Sequence, residues 1–248
     1  MKVRVADDLP IVPLGSSEIQ GKILVSLEDG VGCAMYEFYA QAGDEVTLIA
    51  FHRNHNHIYY CVEGRCVIHD GATKQLPFTA DHLLALTTDK NVHIRIQEPM
   101  RIVAVSVPHD TSVSPPPLLM KSLDEVTDSD RNVPFEDGLS RRFLAAPDGY
   151  NISVHNTFCS SSFSKHLQYL NNKELVYVIK GQGEYVWENG QCRHDFDSEK
   201  HHGTMFLVGN NAHKMTIGAR DTIAICLFYP PLMGNERLKT GKEGGSSY

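Results

Sequence analysis

The chain repeats itself once. HIYYCVEGRCVIHDG at 57–71 is answered by ELVYVIKGQGEYVWENG at 174–190, and RIVAVSVP at 101–108 by TIAICLFYP at 222–230, an offset of about 120 residues. A solenoid needs several short repeats, so two long copies in 248 residues point to a duplicated domain. Each copy is large enough to bury its own core. The seam falls at SVSPPPLLM (112–120), whose three consecutive prolines cannot donate to a central ladder. The expected organisation is one domain over 1–111, a Pro-rich linker over 112–121 and a second domain over 122–248.

Strand signals dominate both copies. LIAFH (48–52), HIRIQ (93–97) and GTMFLVG (203–209) are short and rich in apolar, β-branched or aromatic residues, as are the repeated segments. Gly, Asn, Asp and Pro interrupt them at intervals of about 8–12 residues, the rhythm of an all-β sandwich or barrel. The best helix candidate is SLDEV (122–126). GQGEYV joins two strands and reads as a hairpin turn, not as a phosphate cradle.

In each copy a cluster of potential metal ligands precedes an apolar strand that ends at a glycine, and a histidine follows on a later strand. Gly64 is followed 29 residues on by His93, and Gly181 is followed 32 residues on by His213. A small barrel turns alternate side chains inward, so a few polar residues at such positions converge at its mouth. The first copy offers His52, His55 and His57, with His93 as a fourth imidazole. The second offers Glu174 and His213, with Tyr169 and His166 upstream. Neutral imidazole suits Zn, Fe, Ni or Cu, and a buried carboxylate must be paired, protonated or bound to a cation. The bland alternatives are a histidine-rich polar loop and a surface carboxylate at a strand start.

This layout resembles the cupin family, which implies two tandem jelly-roll β-barrels in an all-β chain. The second copy is similar, more specifically, to the ectoine synthase family. MKSLDEVTDSDRNV, SRRFLAAPDGYNISVHNT, KHLQYLNNKELVYVIKGQGEY, GTMFLVGNNAH, LFYPPLMGNE and the terminal GGSSY follow one another in that family's order. The resemblance implies a metal, iron in that family, that helps close an acetylated diaminobutyrate into a cyclic amidine with loss of water. It makes Glu174 and His213 metal ligands and puts Tyr169 near the substrate. It sets Phe228, Pro230, Gly234 and Glu236 in the tail segment beside the pocket, and residues 237–248 as a lid. Two positions depart from the family pattern: the metal-binding Tyr is Phe206 here, and a pocket His is Asn172. A phenyl ring cannot ligate a metal.

Three functions follow. The first is a lyase or cyclase using Fe(II), or else Zn, Ni, Mn or Cu, on a small amino-acid-like substrate, with Tyr169 as general acid and Glu236 orienting the amine. The second is an oxygenase built on the imidazoles of the first copy. The third is a metabolite-binding module without catalysis. The net charge of −7 and the lack of a basic run argue against nucleic acid. No run approaches the roughly 20 apolar residues of a membrane span. Six cysteines without a C-x-x-C pair fit a reducing cytoplasm. The two barrels are expected to pair within the chain as a pseudo-dimer, with a further homodimer open.

Overall fold

The computed structural model describes residues 1–15, 17–69 and 75–237. The terminal GGSSY and the lid expected over 237–248 therefore lie, apart from Arg237, outside the described residues. The chain divides into two compact units, residues 9–123 and residues 1–8 together with those from 124 onward. Strands make up nearly all the regular structure. The helix expected near 122–126 forms over Leu123–Thr127.

In the earlier unit the sheet runs Leu118–Ser122, His82–Leu86, His55–His69, Val92–Pro108, Ala34–Ala40, Gln20–Val25 and Val12–Pro13, all antiparallel. His55–His69 and Val92–Pro108 are long, and their register slips repeatedly between Cys61 and Cys66. Bulges bend a strand, so each of these can serve two walls. The three prolines end before Leu118, and the residues after them have free N–H groups to pair with His82–Leu86. Leu118 and Met120 pack on the core of this unit.

The later unit makes the same bend by a break. Lys173–Lys180 lies in a seven-stranded sheet beside Thr204–Gly209 and Thr222–Tyr229, with Ser153–Cys159, Gly138–Leu144 and Asn132–Phe135 beyond them. After Gly181 the chain enters a second sheet of Ser164–Leu167, His213–Ile217, Gln182–Trp187 and Cys192–Asp197. The chain's first strand, Lys2–Val5, pairs along Thr204–Gly209 and completes an edge here. The two sheets share one core: Val176, Phe206 and Phe228 from the first meet Leu167, Tyr185 and Met215 from the second.

The crossover depends on Gly181. Its φ is +112°, and a Cβ there would run into Thr222 Oγ1 and the Asp221 carbonyl. Gly43 also has a left-handed φ, +94°, but open space around it. Gly181→Ala is expected to cost about 1–3 kcal/mol in urea denaturation, clearly more than Gly43→Ala. Equal losses would mean that the close approach carries no weight.

Candidate active site

A cavity inside the later unit has a free volume of about 50 Å³. Its wall follows the two-residue period of the strands: Ser140 and Arg142 on one, His155, Thr157 and Cys159 on the next, then Thr222, Ala224, Cys226 and Phe228. Glu174 and Tyr185 complete the polar lining together with Tyr169.

Glu174 stands opposite Phe228 on one side and Gly209 on the other, and the register slips between Glu174 and Leu175. The extra residue is Val208 on the facing strand, and Glu174 keeps the two-residue alternation that also turns Val176 onto the cavity. The residue is 4% exposed and Oε2 has no hydrogen-bond partner. Burial raises its carboxyl pKa from 4.5 to about 8. His213 begins the strand His213–Ile217. Its Nδ1 lies 3.0 Å from the Asn211 carbonyl, so that N–H donates and Nε2 is left with the lone pair. Nε2 is buried, without a partner, and 3.8 Å from Glu174 Oε2. Burial lowers the imidazole pKa from 6.5 to about 4. Both groups are therefore neutral near pH 7, and the contact is not an ion pair.

Two orphaned atoms facing each other at this separation are what a bound cation would satisfy, and the carbonyl that fixes the His213 tautomer is a common feature behind metal-ligating histidines. The donor set thus fits a transition metal. Among the described residues, no three His, Cys, Asp or Glu side chains gather around one point. Phe206 is fully buried and lies flat on Tyr185, with ring centroids 4.0 Å apart. The Tyr185 ring also stacks on His213 at 5.3 Å.

The far wall holds residues the sequence did not single out. His155 is buried, its Nδ1 3.1 Å from Ser140 Oγ and its Nε2 without a partner. Burial, then Arg142 and Arg131, hold its pKa well below the usual value. Arg142, 1% exposed, donates to the Glu236 carbonyl at 2.6 Å and approaches the Glu236 carboxylate at 3.4 Å. That carboxylate also accepts the Met233 and Gly234 N–H groups. Glu236 thus ties the tail to Arg142. Tyr169 packs edge-on to Phe228 at 5.0 Å, and Phe228 in turn lies 5.1 Å from His155. Asn172 donates to the Pro230 carbonyl. Arg142 and His155 face each other in register. The available signal was polar residues at two-residue spacing within apolar runs.

In the earlier unit His52 and His55 come together, ring centroids 5.3 Å apart, with His52 Nε2 2.5 Å from the Tyr36 hydroxyl. His57 is fully buried and neither ring nitrogen has a partner. The structure does not bring His93 to them. His93 is exposed, bonds Thr47, and pairs with His69 near one end of the ladder, while His57 pairs with Ser106 near the other. The residue in the register position of His213 is Val92: Leu48 pairs with Val92 as Leu167 pairs with His213. A one-residue slip moves a strand side chain to the opposite face.

The sequence matches the family model for ectoine synthase over residues 118–245. Relatives include the L-ectoine synthases of Desulfatibacillum aliphaticivorans, 31% identical over 48% of this chain and 90% of that one, and of Thermobifida fusca, 29% identical over 48% and 86%. The fold is similar to the Ylba protein of E. coli (TM-score 0.71, 13% identity, 96% of this chain and 92% of that one). It is also similar to Bacillus subtilis oxalate decarboxylase (TM-score 0.69, 10% identity, 94% and 78%). A further structure of that enzyme, concerned with its Mn(II) centres, has a TM-score of 0.66 at 10% identity, covering 93% of this chain and 78% of that one. At these identities the structural likenesses show the cupin fold alone.

The buried carboxyl makes stability depend on pH. Between its ordinary pKa of 4.5 and about 8, the unfolded chain releases a proton that the fold keeps, so Glu174 lowers stability as pH rises through that window. His213 acts in the other direction, lowering stability as pH falls from 6.5 towards 4. In metal-free protein, Glu174→Gln removes the first effect only. Its melting temperature is expected to match the wild type near about pH 5 and to exceed it increasingly towards about pH 8. A difference that does not change with pH would contradict the protonated, unpaired carboxyl.

Proposed function

Because the chain belongs to the ectoine synthase family, matched over residues 118–245, we propose that its later unit is a metal-dependent lyase that closes an N-acylated diamino acid by loss of water. The observation that carries this reading is the pair of buried, partnerless donors, Glu174 Oε2 and His213 Nε2, 3.8 Å apart, with Glu174 on the wall of the cavity. Those two residues would hold a divalent transition metal, Fe(II) first among the candidates and Zn, Ni, Mn or Cu after it. When bound, the metal would supply Lewis acidity to an amide carbonyl.

The chain's own residues do the rest. The substrate's free amine attacks the amide carbon, a C–N bond forms, the C–O bond breaks, and the oxygen leaves as water with two protons from nitrogen. Tyr169, on the cavity wall, is the general acid for that departure. His155, held neutral by burial and by Arg142, keeps an unpartnered Nε2 on the wall that can accept a hydrogen bond from a substrate N–H and orient the attacking nitrogen. Arg142, paired with Glu236, puts a guanidinium on the wall whose N–H groups suit a substrate carboxylate. Ser140, Thr157 and Thr222 add hydroxyls, while Val176, Phe163 and Phe228 keep the space dry.

The oxygenase reading of the earlier unit is weaker. Its third or fourth imidazole would have to come from the position that Val92 occupies. All six cysteines are free thiols, which supports a reducing compartment such as the cytoplasm. Among the described residues no helix is long and apolar enough to cross a membrane.

The test is direct. Protein reconstituted with Fe(II) is incubated with N-acetylated diaminobutyrate and followed by NMR for the cyclic amidine. Product is expected from the wild type. Glu174→Gln and His213→Ala should each lower the rate more than about a hundredfold, beyond what loss of an outer-shell partner does. His52→Ala should leave it unchanged. Oxygen uptake matched to turnover, or no cyclisation of any N-acylated diamino acid, would overturn the proposal.

A further inference from the structure

Two protein atoms are too few to fix a catalytic metal, which is ordinarily held by three protein ligands with a position left open. Glu174 and His213 supply two, and among the described residues no third His, Cys, Asp or Glu joins them. The remaining oxygen donors on the wall are the hydroxyls of Ser140, Thr157, Thr222, Tyr169 and Tyr185. Ser140 is engaged with His155 and Arg142 on the far wall. Tyr169 packs on Phe228, on the side of His155.

Tyr185 is placed differently. It lies on Gln182–Trp187, the strand next to His213–Ile217, where Trp187 pairs with His213 and Tyr185 with Met215. Tyr185 is thus the diagonal neighbour of His213 on one face of the sheet. The two rings stack, 5.3 Å apart and 21° from parallel. Tyr185 is 1% exposed and lines the same small cavity as Glu174. Its ring also stacks on Phe206, which arrives from the opposite sheet, with centroids 4.0 Å apart. Phe206 is the residue that offers a bare ring where the sequence resemblance expects a phenol.

We infer that Tyr185 is the third protein ligand of the site, its phenol oxygen joining Glu174 Oε2 and His213 Nε2, so that the donor absent at Phe206 is delivered by the ring stacked on it. The inference rests on the metal-dependent reading above. Phenolate oxygen is a hard anionic donor that accompanies carboxylate and imidazole well on iron. The exchange moves the phenol from one sheet to the facing sheet and leaves both aromatic volumes in place.

Ferric ion is the probe, because a phenolate bound to Fe(III) gives a visible charge-transfer band that carboxylate and imidazole do not. The full chain is titrated with Fe(III), with bound iron counted separately by elemental analysis. The wild type is expected to bind one iron and show the band. Tyr185→Phe should lose the band while keeping the wild-type far-ultraviolet circular dichroism, and Tyr169→Phe should keep the band. Tyr185→Phe combined with Phe206→Tyr should regain it, since the phenol then returns to the neighbouring ring. A band that survives Tyr185→Phe, or vanishes in Tyr169→Phe, overturns the assignment of Tyr185. Iron bound without any band in the wild type overturns that assignment and leaves the metal reading standing. No bound iron, or iron unaffected by Glu174→Gln and His213→Ala, overturns both.

Discussion

A carboxyl and an imidazole left without partners in a dry interior cost several kcal/mol in solvation. The later unit keeps both, 3.8 Å apart, at the centre of its fold. Glu174 is turned inward by the two-residue alternation of its strand, and His213 is fixed by a backbone carbonyl that leaves its other nitrogen facing the carboxyl. The surrounding strands hold them against that cost, as a framework does around a site whose missing partner is a ligand.

The repeat shows how one framework gives a filled barrel and a hollow one. Matching ladder positions compare the two interiors residue by residue. Tyr59 pairs with Ala104 as Val176 pairs with Cys226, and Phe38 pairs with Ile102 as Thr157 pairs with Ala224. Met100, opposite Ala40, answers Thr222, opposite Cys159. At four of these six positions the earlier unit has Tyr, Phe, Ile and Met where the later one has Val, Thr, Ala and Thr; at the other two it has Ala104 and Ala40 where the later one has Cys226 and Cys159. The larger side chains make a close-packed core, and the smaller, more polar ones leave a cavity. Val92 in place of His213 removes an imidazole from the same geometry. The histidines that remain, His52, His55 and His57, sit beside Phe51, whose ring packs on Tyr36 and Tyr59.

Much of this was legible in the chain itself. The duplication, the all-strand character and the pairing of Glu174 with His213 follow from repeated segments and from spacing. His93 was misplaced because counting from a glycine cannot fix register: its spacing, 29 residues against 32, hides a shift of one, and one position separates a buried Val92 from an exposed His93. The far wall was less visible. Arg142 and His155 meet only when two strands pair, and within SRRFLAAPDGYNISVHNT nothing marks them out from their neighbours. Glu236 reads as a substrate contact in a linear alignment, yet its carboxylate is taken up by Arg142 and two backbone N–H groups. Tyr185 lay within a hairpin that looked merely structural, and its stacking on Phe206 depends on two sheets closing over each other.

The account stands or falls on where a metal ion goes. Anomalous diffraction from crystals grown with Fe(II) or Co(II), recorded at the metal's absorption edge, locates the ion without reference to activity. A single peak within about 2.0–2.3 Å of both Glu174 Oε2 and His213 Nε2 is the predicted result. A peak only among His52, His55 and His57, with Glu174 and His213 turned onto other partners, would contradict it.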